Sequence, residues 1–224
     1  VTPWLGLASD AWAAAYLAAA SSAEKADGVV VIGAGGHAKV VISTLAASGT
    51  PVTAVVDDDA RKWGTDAQGT RVERLERARG GRGIVGIGDN ARRREMVQAL
   101  GLDWQTVVHP AAYVHPSAKL GRGTVVFAGA VVQPDAVVGD HVIVNTGATV
   151  DHDCVIGDFA HLAPGVHLAG GVQVGEGAFL GIGSVVCPVV RIGRWARLGA
   201  GAVAIRDVPD EAVAVGVPAV ERKR

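Results

Sequence analysis

The sequence predicts two architectures in series, a small Rossmann-like α/β unit followed by a parallel β-helix, on three observations. The first is a six-residue period. Stepping by six from Val108 to Leu198 meets a branched aliphatic at all sixteen positions, and the residue four places after each, from Ala112 to Ala202, is small or β-branched. The second is a strand-like Val29–Ile32 run followed by Gly33, Gly35 and Gly36, a helix-compatible stretch, and a second apolar run that ends on Asp57, Asp58 and Asp59. The third is composition: 49% of the chain is hydrophobic but only 4% aromatic, so the core is built from Val, Ile, Leu and Ala in thin, regular layers.

In chain order, residues 1–27 come first and are expected to be an extension outside the fold. Ala20, Ser21, Ser22 and Ala23 imitate a signal-peptide cleavage site, but no Lys or Arg precedes them and Asp10 interrupts the apolar run. The longest apolar stretch, Ala11 to Ala20, is ten residues, well short of the roughly 20 that span a bilayer, so no membrane anchor is expected. Residues 28–107 read as the α/β unit. Strand, Gly-rich turn, helix (His37 to Ser48), strand and acidic end follow the order of a dinucleotide-type βαβ unit, with glycines that let backbone approach a phosphate at a helix N-terminus. Ala38 stands where the fingerprint has its third glycine. A second unit runs through Ile84 to Ile87, Gly88-Asp89-Asn90, an Arg-rich helix from Ala91 to Leu100, and a short strand from Thr106 to Val108. The glycine motif alone leaves the ligand open between NAD, the nucleotide part of another molecule, and none. Arg92, Arg93 and Arg94 read as a solvated face at the end of the helix its dipole disfavours, with Arg92 the best placed to meet a phosphate.

Residues 108–224 read as the β-helix. A helical period of 3.6 or a simple two-residue alternation cannot hold a six-residue phase for this long. Short strands that turn a corner every six residues can, with the large aliphatic pointing inward and the small residue where the walls converge. Three sides close a coil in 18 residues, so residues n and n+18 stack at about 4.8 Å and the repeats make a little over five coils. Glycines directly after the aliphatic, such as Gly121, Gly139 and Gly157, are expected to supply positive φ at corners.

Chemistry is expected where outward positions break this pattern. At 18-residue spacing lie Pro116, Pro134, His152, Gly170 and Pro188. One corner otherwise held by proline thus carries an imidazole and, one coil on, a glycine. Asp151 and Asp153 flank the histidine and can orient it and raise its basicity, while Gly170 leaves room and offers an N–H: a general base beside an oxyanion donor. A zinc hydratase would need three converging histidines. His161 and His167 fall on different sides of the prism, so His152, His161 and His167 could converge only across a subunit boundary. The 21 basic and 22 acidic residues give a net charge of −1, which argues against nucleic-acid binding, and two cysteines, Cys154 and Cys187, suit a reducing cytoplasm.

Several motifs together resemble one family. They are Val-Ile-Gly-Ala-Gly-Gly-His-Ala at 31–38, Gly-Ile-Gly-Asp-Asn at 86–90, the block from Asn145 to His161, and Val-Gly-Val-Pro-Ala at 215–219. The chain resembles the bacterial hexapeptide acyltransferases of sugars, in the branch holding the UDP-4-amino-sugar and GDP-perosamine N-acetyltransferases and the sialic acid O-acetyltransferases. The resemblance implies a left-handed β-helix, a homotrimer with active sites between subunits, and transfer from acetyl-CoA, without a metal, to a nucleotide-linked amino sugar in surface-glycan biosynthesis. Sugar O-acetylation is the alternative, and a γ-carbonic-anhydrase-like zinc enzyme or an NAD-binding protein stands further off. By the resemblance, His152 is the catalytic base, Asp153 the acid behind it, and Gly170 the amide on the acetyl carbonyl. Gly33, Gly35, Gly36, His37, Asp57, Asp58, Gly88 and Asn145 serve the nucleotide sugar, and His161, Gly170, Gly181 and Ala200 serve acetyl-CoA. Apolar Ala163, Ala169 and Phe179, expected to face outward, would lie at the subunit contact.

Overall fold

The computed structural model describes residues 28–222, so the expectations for residues 1–27 lie outside the described residues. The α/β unit opens with β1 (Val29–Ile32), α1 (Gly36–Ala47) and β2 (Val52–Asp57), continues through β3 (Asp66–Ala67), β4 (Thr70–Arg74) and β5 (Arg82–Val85), and closes with α2 (Asn90–Ala99) and β6 (Asp103–Trp104). The sheet order is β3-β4-β2-β1-β5-β6, parallel apart from the β3–β4 hairpin. α1 starts on Gly35 in extended conformation and buries Ala38, Val41, Ile42 and Leu45. α2 starts on Asp89, whose carboxylate accepts from the Arg92 N–H at 2.8 Å, an N-cap of the kind that satisfies an otherwise orphaned helix amide. β3 and β4 have no signature in the sequence: two- and five-residue strands with mostly exposed side chains carry too little periodicity.

From Val107 onward the chain winds into a parallel β-helix of three sheets with eight, six and five strands; the final strand, Val220–Glu221, turns back antiparallel on Val213–Val215. Residues 18 apart pair, as in Val126 with Val144 and Ile156 with Val174. The inward aliphatics and their small partners are buried in one continuous cluster from Val126 to Ala214. The fold class is therefore the one the sequence predicts.

Corner geometry corrects one expectation. Gly121, Gly139 and Gly157 are absent from the positive-φ residues. The left-handed residue comes two places later, at Gly123, Asp135, His141, Asp153 and onward to Gly201. The earlier glycines have a different cause. A Cβ on Gly121 would fall 2.4 Å from the Gly139 carbonyl carbon, and one on Gly157 would fall 2.6 Å from the Glu176 nitrogen, so the next coil's backbone occupies the side-chain space. A second correction concerns Ala163, which is 3% exposed and belongs to the core instead of facing outward.

The α/β unit sits on the eight-stranded side. Val125, Phe127 and Ile143 share a buried cluster with Val41 and Leu45 of α1. The arginine cluster is the main departure from the sequence reading. Arg93 is 1% exposed and forms the bolt between the two parts. Its Nε donates to the His141 carbonyl at 2.9 Å, one terminal nitrogen donates to the Phe159 carbonyl at 2.7 Å, and the other donates to the Ile87 carbonyl at 3.1 Å. Beside it, the Asn90 amide donates to the carbonyls of Gly177 and Ala178. Burial pulls the Arg93 pKa down to about 9, still far above neutrality, so the guanidinium stays charged and backbone oxygens solvate it in place of water.

Candidate active site

Two separate places carry chemistry. The first is a cleft of about 350 Å³ across the C-terminal ends of β2, β1 and β5. It brings together Gly33, Gly35, Gly36, His37, Asp57, Asp58 and Gly88, together with Lys62 and Arg92. Gly33 has φ +101°, and a Cβ there would fall 2.7 Å from Ile87. Gly35 and Gly36 would meet nothing within 4 Å, so the first turn of α1 presents bare backbone to the cleft, as an anion at a helix N-terminus requires. The close helix–strand approach that the fingerprint's third glycine normally permits comes from the other side: a Cβ on Gly86 would fall 2.9 Å from Ala38.

The acidic end divides its labour. Asp57 is 4% exposed, and its carboxylate is committed inside the chain, accepting from the amides of Ala34 (2.7 Å) and Asp59 (2.8 Å) and from Lys62 Nζ (2.9 Å). Burial alone would raise its pKa, but Lys62 and the two amides outweigh burial and hold it below the usual carboxylate range. Asp57 thus shapes the glycine turn, whereas Asp58 is exposed and pairs with Arg92, which also bonds Glu95 at 2.7 Å.

Beneath the cleft lies a buried layer that joins it to the β-helix. His161, 7% exposed, donates through Nδ1 to the Gly88 carbonyl at 3.0 Å and accepts at Nε2 from the Asn145 amide at 3.1 Å. Both ring nitrogens are used within the chain, which leaves none for a cosubstrate. His161 packs edge-on against Phe179 and lies 5.9 Å from the His37 ring. Burial, reinforced by the Arg93 charge, lowers His161 to about 3 and His37 to about 4, so both are neutral. Asn145 spends its amide on His161 and its oxygen on the Thr146 N–H at 2.8 Å.

The second place is the corner that breaks the proline column, between the strands Thr149–Val150 and Val155–Ile156. His152 stands exposed there, and its Nδ1 donates to Asp153 Oδ2 at 2.7 Å. Asp153 is held at φ +60°, a region that Asp enters more readily than most residues. The Asp153 carboxylate, helped by the charge of Asp151, raises the His152 pKa above its ordinary 6.5. With Nδ1 committed, Nε2 is the basic nitrogen, and the ring lies over Gly170: a Cβ on Gly170 would come 2.6 Å from Cε1 and Nε2. Gly170 is thus the residue that makes room for the imidazole.

Its N–H is equally telling. Pro116, Pro134 and Pro188 hold the same position in other coils without any N–H, so the strand ladder does not consume a donor there. At His152 the equivalent N–H is taken by Asp151 Oδ1 at 2.7 Å. Gly170 supplies a donor beside the imidazole that the ladder leaves unspent.

Gly181 and Ala200 lie at another corner, after the strands Phe179–Leu180 and Arg197–Leu198, and do not meet His152 within one chain. A Cβ on Gly181 would fall 2.6 Å from the Ala200 nitrogen. His167, exposed, bonds Thr149 Oγ1 through Nδ1 at 2.9 Å. His152, His161 and His167 thus have separate partners, and among the described residues no group of three or more His, Cys, Asp or Glu side chains is arranged to hold a metal.

Comparison with known structures gives this geometry a context. The perosamine N-acetyltransferase of Caulobacter crescentus, solved with CoA and GDP-perosamine, is 44% identical and superposes with a TM-score of 0.83 over 88% of this chain and 97% of its own. The chain belongs to this family of nucleotide-sugar N-acetyltransferases. Another member, the acetyltransferase domain of PglB from Neisseria gonorrhoeae in complex with acetyl coenzyme A, is 39% identical with a TM-score of 0.81, over 88% of this chain and 100% of that one. The family profile described as the PglD N-terminal domain matches residues 28–100. A curated relative, the UDP-N-acetylbacillosamine N-acetyltransferase of Bacillus subtilis, is 40% identical over 106 residues, and this match spans 43% of the chain and about half (49%) of the relative.

Proposed function

We propose that the protein transfers an acetyl group from acetyl-CoA to the amine of a nucleotide-linked 4-amino sugar, in the cytoplasm and in the service of surface-glycan assembly. The observation that carries this reading is the break in the proline column: His152, fixed by Asp153, lies directly over Gly170 and its spare N–H. The neutral amine attacks the thioester carbonyl carbon, forming the C–N bond. Negative charge gathers on the carbonyl oxygen, where the Gly170 N–H stabilises it. His152 Nε2 takes the proton the nitrogen sheds. As the C–S bond breaks, that proton passes to the CoA sulfur, so amine and thioester give amide and thiol. The raised basicity of His152 suits the proton-accepting half, and a carboxylate on Nδ1 stabilises the imidazolium between the two transfers.

The nucleotide belongs in the first cleft, with its diphosphate at the bare first turn of α1 and its nucleoside towards Asp58. Its sugar then emerges near Gly88. In one chain that point and His152 are separated by the five-stranded side of the prism, a span of six residues and at most roughly 20 Å. A second subunit, in a trimer, would bring its own His152 corner to this cleft, which supports a site shared between subunits, with CoA between neighbouring β-helices and reaching Gly181 and Ala200. Domain limits at 28–107 and 108–224 fit this division of labour. The test is thiol release from acetyl-CoA in the presence of UDP- and GDP-linked 4-amino sugars. Release that depends on the amine supports the proposal; release with none of them, or only with hydroxyl sugars, removes it.

A further inference from the structure

Val189 occupies the same corner as the base and is held at φ +56°. For a β-branched residue this is a true conformational outlier. Among the described residues it is the one β-branched side chain in the left-handed region; the other non-glycine residues there are Gln, Asp, His, Phe, Trp and Glu. The large ones gain packing in return: His141 stacks on Phe159 at 5.2 Å, and Trp195 lies under the Arg94 guanidinium at 4.5 Å. Asp153 gains the His152 bond. Val189 gains no comparable packing, since it is 79% exposed, the highest value for a large hydrophobic among the described residues. Glycine or asparagine would hold this backbone without strain, so folding of the chain does not explain a valine here.

Position suggests an explanation. Asp153, Gly171 and Val189 follow one another at 18-residue spacing, as do His152, Gly170 and Pro188. The His152 ring covers Gly170, while a Val189 methyl carbon lies 3.1 Å from where a Gly171 Cβ would be. Base and valine therefore approach the two glycines from opposite sides, one polar and one apolar, with the Gly170 N–H at the same place. We infer that Val189 is a binding and selectivity residue for the acyl thioester, an apolar wall against which the acyl group and the adjoining thioester arm rest while the carbonyl oxygen sits on Gly170. The inference depends on the proposed acyl transfer at this corner. Strain that contributes nothing to folding but shapes a binding surface is a recurrent feature of functional sites.

The test is Val189→Asn, which keeps the backbone conformation and removes the apolar wall. Wild-type turnover is measured first, so that a failure of the proposed reaction is seen separately. Relative to active wild type, the variant is expected to show an unchanged or higher Tm, by up to about 2–4 °C from relief of strain. Its KM for acetyl-CoA should rise about tenfold, the effect of losing a partly buried valine contact, while its KM for the nucleotide sugar stays the same and its preference for acetyl-CoA over propionyl-CoA weakens. An unchanged KM for acetyl-CoA in an active enzyme overturns the inference. So does a Tm lowered by several degrees or a shift in oligomeric mass by light scattering, since either result means that Val189 serves a protein contact.

Discussion

Replacing Asp153 with asparagine separates two things the carboxylate does for His152. Asparagine tolerates the φ +60° backbone and can still accept the Nδ1 hydrogen bond, so the ring stays in place and only the charge is lost. Asp153 is the largest cause of the raised His152 pKa, with Asp151 second. In wild type the imidazole therefore holds its proton to a pH above its ordinary 6.5, and the base form appears only beyond that point. Without the Asp153 charge the acidic limb of kcat/KM must move to lower pH, part of the way back to 6.5, because Asp151 remains. The plateau must fall at the same time, since the imidazolium formed during transfer loses its counter-charge. A buried Asp-to-Asn change in a triad costs about 10⁴. Here the two side chains are 60% and 67% exposed, so solvent screens the pair and the expected loss is smaller, on the order of tenfold to a hundredfold. The assay is CoA release from pH 5.5 to 9 at saturating and limiting nucleotide sugar. A slower enzyme with more base available at pH 6.5 is the signature; a plateau and limb both unchanged would refute the pairing as a catalytic device.

Gly170→Ala should fold but lose on the order of 10² in kcat, because its Cβ would sit 2.6 Å from the His152 ring and push the base aside; circular dichroism and turnover check both halves. Arg93→Met should destabilise by about 3–5 kcal/mol in denaturant unfolding, since buried carbonyls of His141, Phe159 and Ile87 lose their donor, and the KM for nucleotide sugar should rise more than that for acetyl-CoA. Acid should loosen the joint between the two parts. His161 and His37 are lowered to about 3 and about 4 in the fold but titrate near 6.5 when unfolded; their contribution is complete above pH 6.5 and is lost as pH falls from there towards the folded values. Melting temperatures measured between pH 7.5 and 4.5 should drop through that window, and a flat profile would contradict the neutral, buried assignment.

What could be read from the sequence was local or periodic. The β-helix is legible because each coil repeats the same burial problem, so inward aliphatics recur every six residues, and His152 and Gly170 are legible as departures from that rhythm. The glycine turn and its strand ends are also local. Arg93 was not legible: its acceptors lie 48 and 66 residues away on the β-helix, and in one dimension three successive arginines look solvated. The same holds for His161, whose partner carbonyl on Gly88 is 73 residues distant. For Asp57 the decisive partners are Ala34 and Lys62, which only the folded turn brings to the carboxylate. The corner glycines are ambiguous in sequence because two different causes, positive φ and the crowding of stacked coils, select the same residue type two positions apart.

If His152 is the base in acetyl transfer to a nucleotide-linked amine, its removal must cost turnover and leave the fold intact. CoA release by His152→Ala, set beside wild type with the same acetyl-CoA and 4-amino-sugar nucleotide, tests it most directly. The expected kcat is lower by about 10² to 10⁴ with melting temperature and oligomeric mass unchanged, because the side chain is exposed and its one side-chain bond is to Asp153. Turnover near the wild-type rate at neutral pH would contradict it.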